Sequence, residues 1–314
     1  MSRIDALLVV MVLIWGVNYS VIKIAFEEIP PQPFNALRLL IASSVFYAGI
    51  RLAEARARRG DRRTSSAFYT EHLLTPADRR TLLWLGLVGH CAYQFCFVGG
   101  VARTSVANAA LIIGVTPVAI AVISALFGRE RLAWQHWAGA TVSLAGIYYV
   151  VGRGAAFATS TLEGDALVMI SVACWVAYTL GAGRLMTRHS PLYVTGITMV
   201  IGGIPYFIIA LPQLVLQEWE RVSAWTWMAL LLSALLALNV AYLIWYIAVQ
   251  RIGPSRTSLY SNLVPLVAMG VAAVWLGEPL TLPKIVGAAA VLGGIALTRA
   301  AGAPKVRTPT PRGA

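Results

Sequence analysis

Apolar windows long enough to cross about 30 Å of hydrocarbon as helix recur along almost the whole chain, and they restrict its fold more than any single motif does. A segment in lipid has no water to satisfy its backbone, so such spans are helices whose N–H and C=O groups bond internally. The windows fall at residues 5–26, 34–51, 81–102, 104–127, 134–152, 165–186, 192–216, 225–249, 256–276 and 283–300. Ten spans in an all-α integral membrane protein are the expectation. Composition agrees: 58% of residues are apolar and 12% charged, and the mean hydropathy of +0.72 exceeds what a soluble core needs. Cys91, Cys96 and Cys174 lie inside spans with neither CxxC nor Cys/His spacing, so they read as packing residues, and no metal or other cofactor is expected.

The formal charge of +12 would suit nucleic acid only if the basic residues shared one solvated face. They lie between spans instead, so no nucleic-acid partner is expected. Residues 51–80 form the one long polar connection, with Arg51, Arg56, Arg58, Arg59, Arg62, Arg63, Arg79 and Arg80. Basic connections stay on the cytoplasmic side. That choice also places Arg129, Arg131, Arg184, Arg188, Arg251, Arg256 and Arg299 inside and leaves Lys23, Arg103, Arg153, Arg221 and Lys284 outside. Both termini are then expected to be cytoplasmic. The first span reads as retained rather than cleaved, since only Arg3 precedes it and no small-x-small site follows. The tail 301–314, with Pro304, Pro309 and Pro311, reads as disordered.

The spans are not independent of one another. Arg103, Pro117, Glu130, Gly139 and Gly146 recur 148 residues later as Arg251, Pro265, Glu278, Gly287 and Gly294, without a gap. Structure-breaking residues held in one register mark a duplication. Asp5 and Trp15 recur 160 residues later as Asp165 and Trp175, so the second copy lacks 12 residues, in keeping with its having no counterpart to the arginine connection. The expected units are 1–153 and 163–300, five spans each. An odd number of spans turns the second copy upside down in the bilayer, the inverted repeat from which many transporters are built.

The Trp15-Gly16-Val17-Asn18 motif with Lys23, the segment from Pro117 to Gly128-Arg129-Glu130-Arg131-Leu132, and its echo from Pro265 to Gly277-Glu278-Pro279-Leu280 resemble the EamA family of the drug/metabolite transporter superfamily. The resemblance covers about 5–300. It implies a ten-helix inner-membrane carrier, and the aromatic-rich spans are similar to the branch that exports amino acids. Val176 in place of Gly after Trp175, and Pro279 after Glu278, depart from strict equivalence of the two copies.

Helical spacing puts Trp15, Asn18 and Tyr19 on one face of the first span, and Trp175 and Tyr178 on the matching face of the sixth. In the third span His90, Tyr93, Gln94 and Phe97 share a face, and in the eighth Tyr242 and Trp245 do, with Asn239 beside them. Polar groups facing lipid are costly, so these faces are expected to wall a substrate cavity within the bundle. Interface belts and amide bridges between helices are the alternative. Lys23 and Arg38 have two readings as well: snorkelling to water, or receiving a substrate carboxylate and gating. Pro117 and Pro265 are expected to kink their helices, freeing the carbonyls of Ile113 and Ser261, as structural kinks or working hinges. Gly139-x3-Ser143 and Gly287-x3-Val291 offer small packing faces, with a monomer or weak homodimer expected.

These features point to a secondary carrier for small metabolites, amino acids first among them, working by alternating access. No Walker motif is present, and Asp5, Glu130, Asp165 and Glu278 sit at span ends with only His90 titratable in mid-span, which favours a facilitator. Export of other metabolites or drugs, including proton-coupled antiport, is the alternative. An intramembrane enzyme would need clustered acids, a metal set or an activated nucleophile, and His72, His90, His136 and His189 are scattered.

Overall fold

The computed structural model describes residues 3–59, 66–70, 74–126, 130–131, 134–135, 137–139, 141–142, 145–146, 149, 162–300 and 305–306. Six helices are long and apolar enough to cross a membrane: α1 (Arg3–Ala25), α2 (Pro31–Arg58), α3 (Pro76–Arg103), α6 (Leu162–Leu185), α7 (Pro191–Leu216) and α8 (Ala224–Ile252). Shorter helices are α4 (Val106–Ile113), α5 (Thr116–Leu126), α9 (Pro254–Ser261), α10 (Val264–Trp275) and α11 (Leu282–Ala300). About half of the fifth expected span, 134–152, lies outside the described residues, as does Gly128. A two-residue strand pair joins Glu130–Arg131 to Lys305–Val306, within the tail that the sequence leaves unstructured.

Local chemistry sets the helix ends. Prolines stand at the starts of α2, α3, α7 and α9, where a missing N–H costs nothing. Thr75 and Asp78 form a reciprocal capping box at α3, and Ser105, Ser190 and Ser223 cap α4, α7 and α8 through the N–H groups three residues on. Gly253 ends α8 at φ 84°, a backbone region that costs a residue with a Cβ.

The fourth and ninth spans are interrupted next to the residues whose carbonyls the prolines were expected to free, Ile113 and Ser261. Each is two helices with a break, at Gly114–Val115 and at Asn262–Leu263, and Pro117 and Pro265 are each the second residue of the half-helix that follows. The interruptions are the expected proline kinks: Pro117 and Pro265 lack the N–H that would reach the Ile113 and Ser261 carbonyls, and Gly114, Asn262 and Leu263 in the turns between keep helical dihedrals. Two π-helical turns, Leu87–Ala92 in α3 and Ser233–Val240 in α8, were not foreseen.

The packing is inside out, as lipid demands: α1 exposes Leu7, Val10 and Leu13 and buries Asn18 and Ser20. The chain before residue 150 interleaves with the chain after 162, since α1 packs on α10, α2 along α7 and α3 against α6. Glycines permit the closest crossings. A Cβ on Gly202 of α7 would run into the Gly86 carbonyl of α3, and one on Gly16 of α1 would sit 2.5 Å from Val267 of α10. Gly146 lies against the Gly287 carbonyl and Ala290, which ties the described part of the fifth span to α11.

Candidate functional site

At the centre of the bundle the two breaks face the middles of α1, α3, α6 and α8 across a cavity of about 60 Å³. At ~15 Å³ per water that is room for about four waters. Its wall contains Trp15, Asn18 and Tyr19 from α1, Tyr93, Gln94 and Phe97 from α3, Trp175 from α6 and Tyr242 from α8, all from the expected faces. Ile113 and Thr116 from one break, and Ser261 and Val264 beside the other, complete it and were missed as lining. The signal was present, since Ile113 and Ser261 are the residues whose carbonyls the prolines were expected to free. In the structure the Ile113 carbonyl accepts the Thr116 hydroxyl at 2.6 Å.

The rings form one contiguous cluster. Trp175 lies 5.1 Å from Tyr93, 5.3 Å from Tyr242 and 5.8 Å from Trp15, while Tyr93 stacks on Phe97 at 5.6 Å. Pairs of this kind contribute about 0.5–1.5 kcal/mol each beyond area burial. Amides and hydroxyls fix the ring positions. Gln94 Nε2 donates to Tyr242 Oη at 3.1 Å, and Trp15 Nε1 donates to the Ala237 carbonyl at 3.1 Å. The Ser233 hydroxyl donates to Asn18 Oδ1, closing the wall between the cavity and an apolar groove of about 480 Å³ lined by α1 and α8.

Four expected lining residues stand elsewhere. His90 is fully buried behind the wall, 4.8 Å from the Tyr178 ring, with neither ring nitrogen hydrogen-bonded among the described residues. It lies in the π turn of α3, whose wider i→i+5 winding rotates it off the face of Tyr93 and Gln94. Asn239, in the π turn of α8, donates to the Ala42 carbonyl of α2 at 3.0 Å and so bridges helices. Tyr178 pairs its hydroxyl with Thr198 of α7 at 2.8 Å. Trp245 is buried as a second layer, 5.5 Å from Trp15.

The two cations separate in role. Lys23 does not snorkel. Its ammonium donates to the carbonyls of Val101, Ala102 and Thr104 at 2.8, 2.9 and 2.8 Å, which clamps the C-terminus of α3 and occupies its three donors, so the carboxylate reading does not suit it either. Beside that clamp Glu278 accepts the first amides of α4, from Val106 at 2.7 Å and Ala107 at 3.2 Å, and pairs with Lys284 at 3.5 Å. Asp165, at the start of α6, accepts the Thr104 hydroxyl at 2.6 Å. Arg38, only 1% exposed, cannot snorkel, and it lines the cavity about 10 Å along α2 from Pro31. Its Nη1 donates to Asn35 Oδ1 at 3.0 Å, its Nε has no partner, and its guanidinium stands 5.8 Å from the Phe34 ring centre. Among the described residues no carboxylate lies within ion-pairing distance of it. No group of three or more metal-ligating side chains occurs among the described residues.

The sequence profile of the EamA-like transporter family matches residues 2–152 and 162–300, nearly the full chain. The chain belongs to the EamA-like transporter family. It is therefore a multi-pass membrane transporter of the drug/metabolite transporter superfamily that moves a small molecule across a bilayer, and not an enzyme. It is 28% identical to an uncharacterized transporter, YyaM, of Bacillus subtilis over 67% of this chain and 70% of that one. Identity is 25% to a probable terminal-alkyne amino-acid exporter of Streptantibioticus cattleyicolor, over 92% and 91% of the two chains. A probable amino-acid metabolite efflux pump of Salmonella typhimurium is 24% identical over 94% of each. One solved crystal structure shares the fold, with a TM-score of 0.64 and 21% identity over 95% of this chain and 98% of the other.

Proposed function

We propose that this EamA-like transporter exports small amino-acid-like metabolites, aromatic or apolar ones included, by alternating access around the central cavity. The observation that carries the reading is the placement of the aromatic cluster where two broken helices meet, since irregular backbone within a membrane bundle is tolerated where it lines a cavity. An inverted pair of five-helix units, 1–153 and 163–300, suits that reading. Gln94 and Tyr242 lie 148 residues apart and bond directly, and the Trp15 and Trp175 rings also meet. Residues related by a pseudo-two-fold axis touch only near that axis. Pro117 and Pro265 then flank the points about which the half-helices swing.

We assign it to the inner membrane, as a monomer or weak homodimer, with both termini cytoplasmic on the strength of the arginine connection. Lys23, Glu278 and Asp165 then stand at the outer face. Facilitated flow down a gradient is the first reading of energy coupling. Proton-coupled antiport is favoured by one observation, the 2% exposure of Asp165 beside neutral Thr104. Proteoliposomes loaded with amino acids are expected to show saturable counterflow, reduced at least about tenfold by Trp175→Ala and by Tyr93→Ala through lost ring contacts. Undiminished counterflow in both variants at equal incorporation refutes the cavity assignment. Uphill accumulation under an imposed pH gradient selects antiport over facilitation.

A further inference from the structure

We infer that the cavity selects its solute by a carboxylate and that Arg38 is the group that selects it, an assignment that rests on the cavity reading above. A guanidinium is always charged, and this one is walled from water inside an apolar bundle. Its counterion is not supplied by the described protein. Asp165 is held by Thr104, Glu278 by Lys284 and the α4 amides, and Asp78 by Arg188, each at a helix end. Asn35 occupies Nη1 and is neutral, which leaves the edge carrying Nε without a partner. That edge is a fork suited to the two oxygens of one carboxylate. A buried ionisable group in a membrane bundle marks a substrate pathway by default, and here the missing partner is a monoanion.

The rest of the wall narrows the class further. It offers an ammonium no acid, only neutral groups: the ring faces of Trp15, Trp175 and Tyr93, the unpartnered Oε1 of Gln94 and hydroxyls such as those of Thr116 and Ser261. An amine therefore gains a cation–π contact and hydrogen bonds to neutral oxygens but no ion pair, and an amine without a carboxylate also meets the charge of Arg38. The solute class is monocarboxylates with an apolar or aromatic body. Free amino acids and their N-acyl relatives both fit, while the corresponding decarboxylated amines are excluded. The recognition element is the acid and not the amino group.

The test is counterflow of labelled L-phenylalanine in proteoliposomes of the full chain, competed by N-acetyl-L-phenylalanine and by 2-phenylethylamine. The acyl acid is expected to compete within about threefold of phenylalanine and the amine about 100-fold more weakly, the size of a lost charged hydrogen-bond pair. Arg38→Gln is expected to weaken phenylalanine about 100-fold, and Arg38→Lys, which keeps the charge but not the fork, about tenfold. If the glutamine variant does not fold, the wild-type competition alone decides. An amine that competes as well as phenylalanine, or an Arg38→Gln protein with unchanged affinity, overturns the inference while leaving the cavity in place. Wild-type protein that shows no counterflow with any of the three probes sinks the cavity reading and this inference together.

Discussion

Lys23 and Glu28 show how single polar side chains hold this bundle at its ends. Glu28 lies in the connection between α1 and α2, where Oε2 accepts the Ser223 backbone N–H at 2.7 Å and so draws its carboxyl below the usual value of 4.5. A depressed carboxyl contributes stability above its unfolded pKa and loses it as pH falls through the folded value. Glu28→Gln is therefore expected to melt below wild type in detergent at pH 7, with the gap closing when both are acidified below the folded value. A gap that persists at low pH counts against the linkage. Pairings such as these were not legible in the sequence. The carbonyls that Lys23 binds belong to Val101, Ala102 and Thr104, far away along the chain, and no local pattern announces them. The ring positions were legible, because Trp15, Tyr93 and Trp175 keep ordinary helical spacing to their polar neighbours. His90 and Asn239 escaped the same reasoning because each sits in a π turn, which changes the angle per residue while leaving the residue types unremarkable.

At the scale of the element, the sequence revealed where the fourth and ninth spans depart from regular helix, because Pro117 and Pro265 name the carbonyls they leave without an amide partner. A proline can kink a helix or start one, and only the backbone before it distinguishes the two. Gly114, Asn262 and Leu263 keep helical dihedrals and lie within the turn whose bond each proline removes, so Pro117 and Pro265 kink their spans rather than begin unrelated helices. Pro117→Ala and Pro265→Ala restore an N–H that lets helix propagate backwards into the break. The expected result is slower turnover with substrate affinity kept within about threefold, well under 1 kcal/mol of binding energy, read by counterflow rate and equilibrium binding on one preparation. Unchanged turnover in both removes the hinge. The π turns in α3 and α8 overlap in the repeat register, as 87–92 and 233–240. Both put a loosely wound stretch just before the cavity-facing turn, and neither pattern of apolar residues discloses it.

For the whole molecule, the 148-residue register could be read because Pro and Gly matched along with the apolar filler, whereas the interleaving of the chain before residue 150 with the chain after 162 could not. Repeat register says which residues are equivalent, and it does not say which equivalents touch. Gln94 and Tyr242 do, through the tips of two long side chains, so Gln94→Cys with Tyr242→Cys, in a background with Cys91, Cys96 and Cys174 replaced by Ala, is expected to be bridged by a bis-maleimide about 10 Å long, a span beyond the reach of a direct disulfide. Failure to cross-link in folded protein argues against an axis through the cavity. The size of that cavity has a consequence for physiology. At about 60 Å³ it is too small to hold an amino acid, so a solute is admitted only by molecules that have first swollen. Apparent affinity then falls by the fraction of time spent swollen. On the proposed export reading, a carrier built in this way reaches half its full rate only at a higher internal solute level than one whose cavity already stands open, as an overflow valve does.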